Sequence, residues 1–244
     1  MKVLQQLNIF YLKQRFFPNL ISLFINPFYL NRVLLLNAIK KYSQDLNGDL
    51  LDFGCGAKPY ESLFVNVNKY IGVDIENDSH NHSNENIDIY YDGKTLPFEK
   101  DFFDSIFTSE VFEHVPNINE TLLELNRVLK NGGKLLITTP FSFPEHEIPF
   151  DFRRFTKNGI IKLIEENGYK VDEVNTYGNF ITVLFQLIIL YIHDLIYTKN
   201  KYINLLLNFI FIFPFTLSGV ILSFILPRNR SLYFGIILLA TKNK

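Results

Sequence analysis

The chain holds one cysteine, Cys55, so it can form no internal disulfide, and that usage suits a reducing compartment. It has no excess of charge of either sign, with 24 Lys+Arg against 25 Asp+Glu. A general nucleic-acid binder needs a basic surface, so the balance argues against that class, and no strongly charged substrate is indicated. The start, Met1-Lys2-Val3-Leu4-Gln5-Gln6, lacks a charged segment leading into an unbroken apolar run and a small-residue cleavage site. No cleavable signal peptide is expected from it. No internal repeat is visible, and there is no tryptophan, although there are 25 Phe and 13 Tyr.

The 244 residues suffice for one sizeable α/β domain with an appendage. Phe and Ile crowd toward both ends, while the middle reads as an ordinary soluble domain. Residues 1–47 are apolar and helical in pattern, broken at Pro18 and Pro27 and dotted with Lys2, Lys13, Arg15, Arg32, Lys40 and Lys41. Two readings stay open for this segment, a helical cover packed on the domain and an amphipathic surface that touches a membrane.

From residue 48 short strands alternate with helices. Strands are expected at 49–53, 69–74, 87–91, 103–108, 134–139, 169–175 and 232–240. Helices are expected near 59–64, over 119–130 with Asn119 as N-cap and Gly132-Gly133 past the end, and over 157–167. This alternation predicts an α/β, Rossmann-like, doubly wound and mostly parallel seven-stranded sheet with helices on both faces. The expected organisation is an N-terminal helical cover 1–47, a cofactor-binding core 48–178, an apolar helical insert 179–231, and the final strand with its tail, 232–244.

The first strand runs into Asp52-Phe53-Gly54-Cys55-Gly56. A strand that ends in Gly-x-Gly makes an open turn whose backbone N–H groups face a ligand. Asp74 ends the second strand, where an acid accepts hydrogen bonds from ribose hydroxyls. Asp92 follows the third, within reach of an adenine edge. Singly, each acid could equally be a loop-capping carboxylate; together, at the proper strand ends, they indicate an adenosine-containing cofactor. A dinucleotide fingerprint needs a third glycine, but Pro59 stands there and Asp52 precedes the turn, which argues against NAD or FAD.

These segments resemble the class I S-adenosylmethionine-dependent methyltransferases, in particular a methyltransferase type 11-like domain. Asp52–Gly56 is similar to that family's first motif and Tyr70-Ile71-Gly72-Val73-Asp74 to its second strand. Asp92-Gly93-Lys94-Thr95-Leu96-Pro97-Phe98 is similar to its adenine loop. Phe103–Ile106 with Glu113-His114-Val115, and Asn126–Gly133, resemble its fourth strand, the helix after it and the turn before the fifth. The resemblance covers about residues 48–178. It implies S-adenosyl-L-methionine as cofactor, held by Asp52, Phe53, Gly54, Cys55, Gly56, Asp74, Ile75, Asp92, Gly93, Ser109 and Glu110. Asp52 would lie near the methionine amino group, Asp74 at the ribose, Asp92 at the adenine amine, and Ser109 and Glu110 below the sulfonium. Cys55 reads as a small residue that permits close backbone approach rather than as a reactive thiol.

Methyl transfer from a sulfonium is an in-line displacement, so the protein mainly aligns the partners and excludes water. A weakly acidic acceptor still needs a base. His146 is the candidate base, and Asp151, Arg153 and Arg154 are candidate substrate-binding residues, because loops at the carboxyl ends of strands hold substrates in such sheets. The plainer reading of these four is a local ion-pair cluster, and His114 reads as a structural histidine. No metal is expected, since His80 and His82 lie in a polar loop without a supporting Cys or acid cluster.

The insert is strongly apolar. Ile203–Leu226 carries no charge, Pro214 sits in its middle, and Lys199, Lys201, Arg228 and Arg230 flank it. Pro214 is expected to split the run into two half-depth helices, a re-entrant or monotopic anchor on the inner, cytoplasmic face of a membrane. Two full spans, near 179–197 and 203–226, are the second reading, and a dimer interface or lid is the plain one. The expected activity is methyl transfer to a small-molecule, glycan or lipid-like acceptor at the membrane surface. The alternative is a non-catalytic membrane-associated protein that retains the fold. No nucleic-acid partner is expected, and the oligomeric state is left open.

Overall fold

The computed structural model describes residues 13–75 and 86–243. His80, His82, Lys2 and the first turns of the expected N-terminal cover lie outside the described residues.

The elements follow in the order α1 (Ser22–Ile25), α2 (Tyr29–Tyr42), β1 (Gly48–Phe53), β2 (Val67–Ile75), β3 (Ile89–Tyr91) and β4 (Phe103–Ser109). Then come α3 (Ile118–Val128), β5 (Leu129–Pro140), α4 (Lys157–Glu166) and β6 (Tyr169–Tyr177). Next are α5 (Phe180–Ile196), α6 (Lys201–Leu207), α7 (Phe213–Ile225) and β7 (Gly235–Lys242). The chain forms two compact units, residues 39–176 with 235–244, and residues 1–38 with 177–234.

The first unit carries the sheet, in the order β3-β2-β1-β4-β5-β7-β6. β1 pairs in parallel with β2 and β4, and β5 with β4, whereas β7 runs antiparallel to β5. The central strands are apolar on both faces, and Leu50, Leu51, Ile106, Phe107, Leu135, Leu136, Ile237 and Leu238 are all buried. Continuous burial of this kind explains why these strands read as unbroken hydrophobic runs. α3 buries Leu122, Leu125 and Val128, one stripe at helical spacing. The strand order reverses between β1 and β4, and the crevice outside the carboxyl ends of those two strands is where an open α/β sheet takes a ligand.

Local departures from the expected elements have physical causes. The helix expected near 59–64 is a single 3-10 turn, Glu61–Leu63. α3 starts at Ile118, and its N-cap Asn117 makes no side-chain capping bond. Asn119 instead accepts a bond from Asn167 Nδ2 at 3.0 Å. Gly132 and Gly133 do not follow a helix end. They lie within the span of β5, where the register against β4 jumps from Phe103↔Leu129 to Ser105↔Lys134.

In the second unit α5 begins with a reciprocal cap. Asn179 Oδ1 accepts from Thr182 N at 3.0 Å, and Thr182 Oγ1 accepts from Asn179 N at 2.9 Å. α6 and α7 form one continuous apolar helix, Lys201–Ile225, because a π-helical turn, Asn208–Ile212, joins them. Pro214 therefore does not split the segment as its sequence suggests. It stands in the first turn of α7, and the wider turn before it takes up the missing N–H and the ring's clash with the preceding carbonyl. α5 and α6–α7 make an antiparallel hairpin whose base is closed by Phe180 N donating to Asn229 O at 2.9 Å. Gln186 binds Asn31 N and Pro27 O, and Asn208 binds Ile25 O, so α1 and α2 line one side of the hairpin.

Candidate functional site: the glycine turn and the carboxyl ends of the strands

The turn after β1 is held from β2. Gly54 N and Cys55 N both donate to Val73 O, at 2.9 and 3.2 Å. Gly54 and Gly56 have φ of +72° and +48°, a region costly for residues with a Cβ. At Gly54 a Cβ would also meet Val111 Cγ2 at 2.4 Å, whereas among the described residues nothing lies within 4 Å of one at Gly56. Gly56 N donates to Asp74 Oδ2 at 2.8 Å, and Ile75 N to Asp74 Oδ1 at 2.8 Å. The acid on β2 thus fixes the glycine turn on β1.

Asp52 is buried and accepts from Tyr70 Oη at 2.7 Å. Burial pushes its carboxyl up to about 7, against the Tyr70 hydroxyl, and the nearby Asp74 charge adds to the rise. Burial also raises the Cys55 thiol, with Asp52 and Asp74 adding to it, so Cys55 is an inert packing residue. The Phe53 ring belongs to the core, 5.8 Å from that of Tyr91, and only its backbone can serve a ligand. Two partners that the sequence reading missed support the turn from below. Lys58, buried, is ion-paired with Asp88, and Asp88 also accepts from Gly72 N at 2.7 Å.

Beside the turn is a cleft of about 460 Å³ lined by Ile75, Tyr90, Tyr91, Asp92 and Gly93. Asp92 Oδ1 accepts from Lys94 N and Thr95 N, both at 2.9 Å, and these bonds hold its carboxyl below the usual carboxylate range. The rest of that loop is clamped by α3. Leu96 N donates to Glu124 Oε1 at 2.7 Å, while Arg127 donates to Phe98 O at 2.8 Å and Leu96 O at 3.1 Å and forks onto Glu124. Glu124 and Arg127 were not singled out in the sequence, where their only signal is an acid and a base three apart on a helix face.

Past β4, Ser109 Oγ pairs with Thr138 Oγ1 at 2.8 Å, and Glu110 N donates to Thr138 O at 3.0 Å. Glu110 has φ +56°, a strained conformation for a side chain of its kind. Glu113 follows, fully buried, and neither carboxylate oxygen meets a hydrogen-bond partner among the described residues. Burial, then the charge of Glu110, raise it well above the ordinary value.

The segment after β5 brings His146 to His114, ring centroids 4.8 Å apart. His146 is lowered by burial and by His114. Asp151 is held down to about 2 by Arg154, which forks onto its carboxylate. Asp151 Oδ2 also accepts from His146 N at 3.0 Å. Arg153 spends its donors on Val115 O and Pro116 O, at 2.6 and 2.8 Å, and Arg154 also reaches the Phe143 and Pro144 carbonyls. Both guanidinium groups therefore work inside the chain, tying the segment after β5 to itself and to the loop before α3.

Residues 51–137 match the family described as a methyltransferase domain. No curated protein matches the chain. Among solved structures, a protein from Bacillus halodurans C-125 provisionally described as a methyltransferase aligns at 18% identity and TM-score 0.52, over 86% of this chain and 99% of that one. An S-adenosylmethionine-dependent methyltransferase from Mesorhizobium loti aligns at 11% identity and TM-score 0.52, over 87% and 100%. The [4+2]-cyclase SpnF aligns at 15% identity and TM-score 0.55, over 88% and 82%. The fold is that of the class I S-adenosylmethionine-dependent methyltransferases, and residues 51–137 carry the match to a methyltransferase domain. A cyclase among the similar structures also means that the fold alone does not name the reaction.

Proposed function

We propose that the chain transfers a methyl group from S-adenosyl-L-methionine to a lipid-linked or lipid-like acceptor at a membrane surface. The observation that carries the transferase reading is the Asp74 carboxylate, bonded to Gly56 N beside the cleft closed by Asp92 and Gly93. Those groups suit a nucleoside. Asp74 offers acceptors to ribose hydroxyls, Asp92 to an exocyclic amine, and the glycine turn leaves room for backbone approach. Asp52, buried at the end of β1, suits a cationic amino group. S-adenosyl-L-methionine fits all four features, and it supplies the activated methyl, so this chain's residues need only bind and align it. Calorimetric titration with S-adenosyl-L-methionine, and release of S-adenosylhomocysteine on incubation with membrane lipid extracts, test the reading. Binding without turnover on any extract would favour the non-catalytic alternative.

The membrane reading draws on the hairpin. Lys201–Ile225 is long and apolar enough to cross a membrane by length and composition, and only 22% of its most apolar stretch is buried. At about 1.5 Å per residue its length of about 38 Å exceeds a hydrocarbon core of about 30 Å. Phe209, Ile210, Phe224, Ile225, Leu187 and Leu195 are exposed on the hairpin. α1 and α2 already line its other side, which favours a hairpin lying in one leaflet over one that crosses both. Arg228 and Arg230 beyond its base would then meet anionic headgroups on the cytoplasmic face.

A further inference from the structure

We propose that Glu113, His114 and His146 form a binding site for a divalent metal ion of the zinc class. One ligand atom from each of the three lies within 4.8 Å of the others. His114 Nε2 is 3.7 Å from Glu113 Oε1 and 3.5 Å from Glu147 Oε2. Ligands at zinc bond lengths of about 2.0–2.2 Å sit roughly 3.3–3.5 Å apart on a tetrahedron, so a small inward movement of this cluster closes it on an ion.

The orientation of the imidazoles supports the assignment. His114 Nδ1 faces Phe150 O at 3.0 Å. His146 Nδ1 faces Pro144 O at 3.2 Å and Asp151 Oδ2 at 3.3 Å. In the tautomer that donates Nδ1–H to these oxygens, Nε2 is the lone-pair nitrogen of each ring. A carboxylate or carbonyl behind a histidine in this way is the usual outer shell of a metal ligand. Asp151 is itself fixed by Arg154, so the backing for His146 is rigid.

Glu113 is the independent observation. It is 0% exposed, and neither of its carboxylate oxygens has a hydrogen-bond partner among the described residues. A buried carboxylate in that state is retained for something that binds it. A metal ion would satisfy both oxygens and offset the surrounding acids. Two imidazoles and one carboxylate leave at least one position open, as in catalytic rather than structural zinc sites. Ligation would occupy the His146 nitrogen that a general base would need, so the two roles exclude each other.

The cluster follows β4 and β5 at their carboxyl ends, so the open position would take an oxygen of the methyl acceptor. This clause rests on the transferase reading, whereas metal binding is measured without cofactor or acceptor and can fail separately.

The full chain, stripped with a chelator, is titrated with Zn²⁺ by calorimetry and with Co²⁺ by visible absorption. One equivalent is expected to bind, with the intense visible bands of a four-coordinate Co²⁺ centre and a raised Tm. His114→Ala and His146→Ala should each weaken binding by more than about 100-fold, and Asp151→Asn by about 10–100-fold. Glu113→Gln keeps the side chain's shape and carries the test if an alanine variant unfolds. The double variant His80→Ala/His82→Ala should bind as the parent does. Absence of stoichiometric binding, or binding that survives Glu113→Gln and His146→Ala but is lost in the His80/His82 variant, overturns the proposal.

Discussion

The Asp74 carboxylate accepts the Gly56 N–H at 2.8 Å, so an acid on β2 holds the turn that follows β1. In the proposed function the same side chain that shapes the glycine turn would also accept from a ligand's ribose. Asp74→Ala should weaken S-adenosyl-L-methionine binding about 10–100-fold, the worth of a charge-assisted hydrogen bond at roughly 1.5–3 kcal/mol. Calorimetric titration checks it. An unchanged Kd would remove Asp74 from the site.

Asp52 gives a pH dependence. Its carboxyl is raised to about 7 in the folded chain, so it takes up a proton as pH falls through that value. A cationic amino group needs the charged form. Affinity for S-adenosyl-L-methionine should therefore rise as pH goes from about 6 to about 8, and Asp52→Asn should flatten that rise. For stability the sign is opposite. The folded value lies above the unfolded one, so the folded chain binds the extra proton. This group's contribution is full below about pH 4 and is lost as pH climbs to about 7. Urea melts of the parent and the Asn variant across that window test the second half.

The two turn glycines should differ. Gly54→Ala meets Val111 Cγ2 at 2.4 Å in addition to its positive φ, while Gly56→Ala meets no atom of the described residues within 4 Å. Gly54→Ala should be the more destabilising of the two, by about 1–3 kcal/mol beyond the shared backbone cost. Val111→Ala should recover part of that loss in the double variant. Equal Tm values for the two single variants would contradict it.

Arg127 should act on the cofactor without touching it. Its bonds to Leu96 O and Phe98 O hold the loop that presents Asp92. Arg127→Ala should cost roughly 1–3 kcal/mol of stability and raise the Kd several-fold. Glu124→Gln should repeat the effect more weakly, and a double-mutant cycle should show the two coupled.

The hairpin should confer membrane binding. The chain should float with vesicles containing anionic lipid, and Phe209→Glu with Phe224→Glu should abolish flotation. Because Phe180 N and Asn229 O are 2.9 Å apart, residues between them can be replaced by a short glycine linker. A shortened chain that still floats would assign membrane binding elsewhere.

Much of this was legible along the chain because buried parallel strands are continuous apolar runs, and Leu50-Leu51 or Leu135-Leu136 announce themselves. The places of Asp52, Asp74 and Asp92 at or next to strand ends were legible because their spacing follows strand length. Pro214 misled, because the rule that proline ends a helix is local and a π-helical turn upstream removes its cost. Gly132-Gly133 misled similarly, since glycines past a helix and glycines in a shifted register look alike in sequence. Lys58 and Asp88 were invisible because each acts through a partner distant in the chain, and Glu124 and Arg127 showed only an acid and a base three apart, since the loop they clamp lies far from them in sequence.

β7 is wedged between β5 and β6, yet the ribosome makes it after both of them and after the whole hairpin. Until it arrives, β5 and β6 cannot reach their final places, and each presents an unsatisfied edge. Closure of the sheet is thus a late event of high contact order, and it cannot precede synthesis of the apolar hairpin. A chain stalled before residue 235 would carry both a greasy hairpin and two open strand edges, the combination that chaperones and proteases recognise.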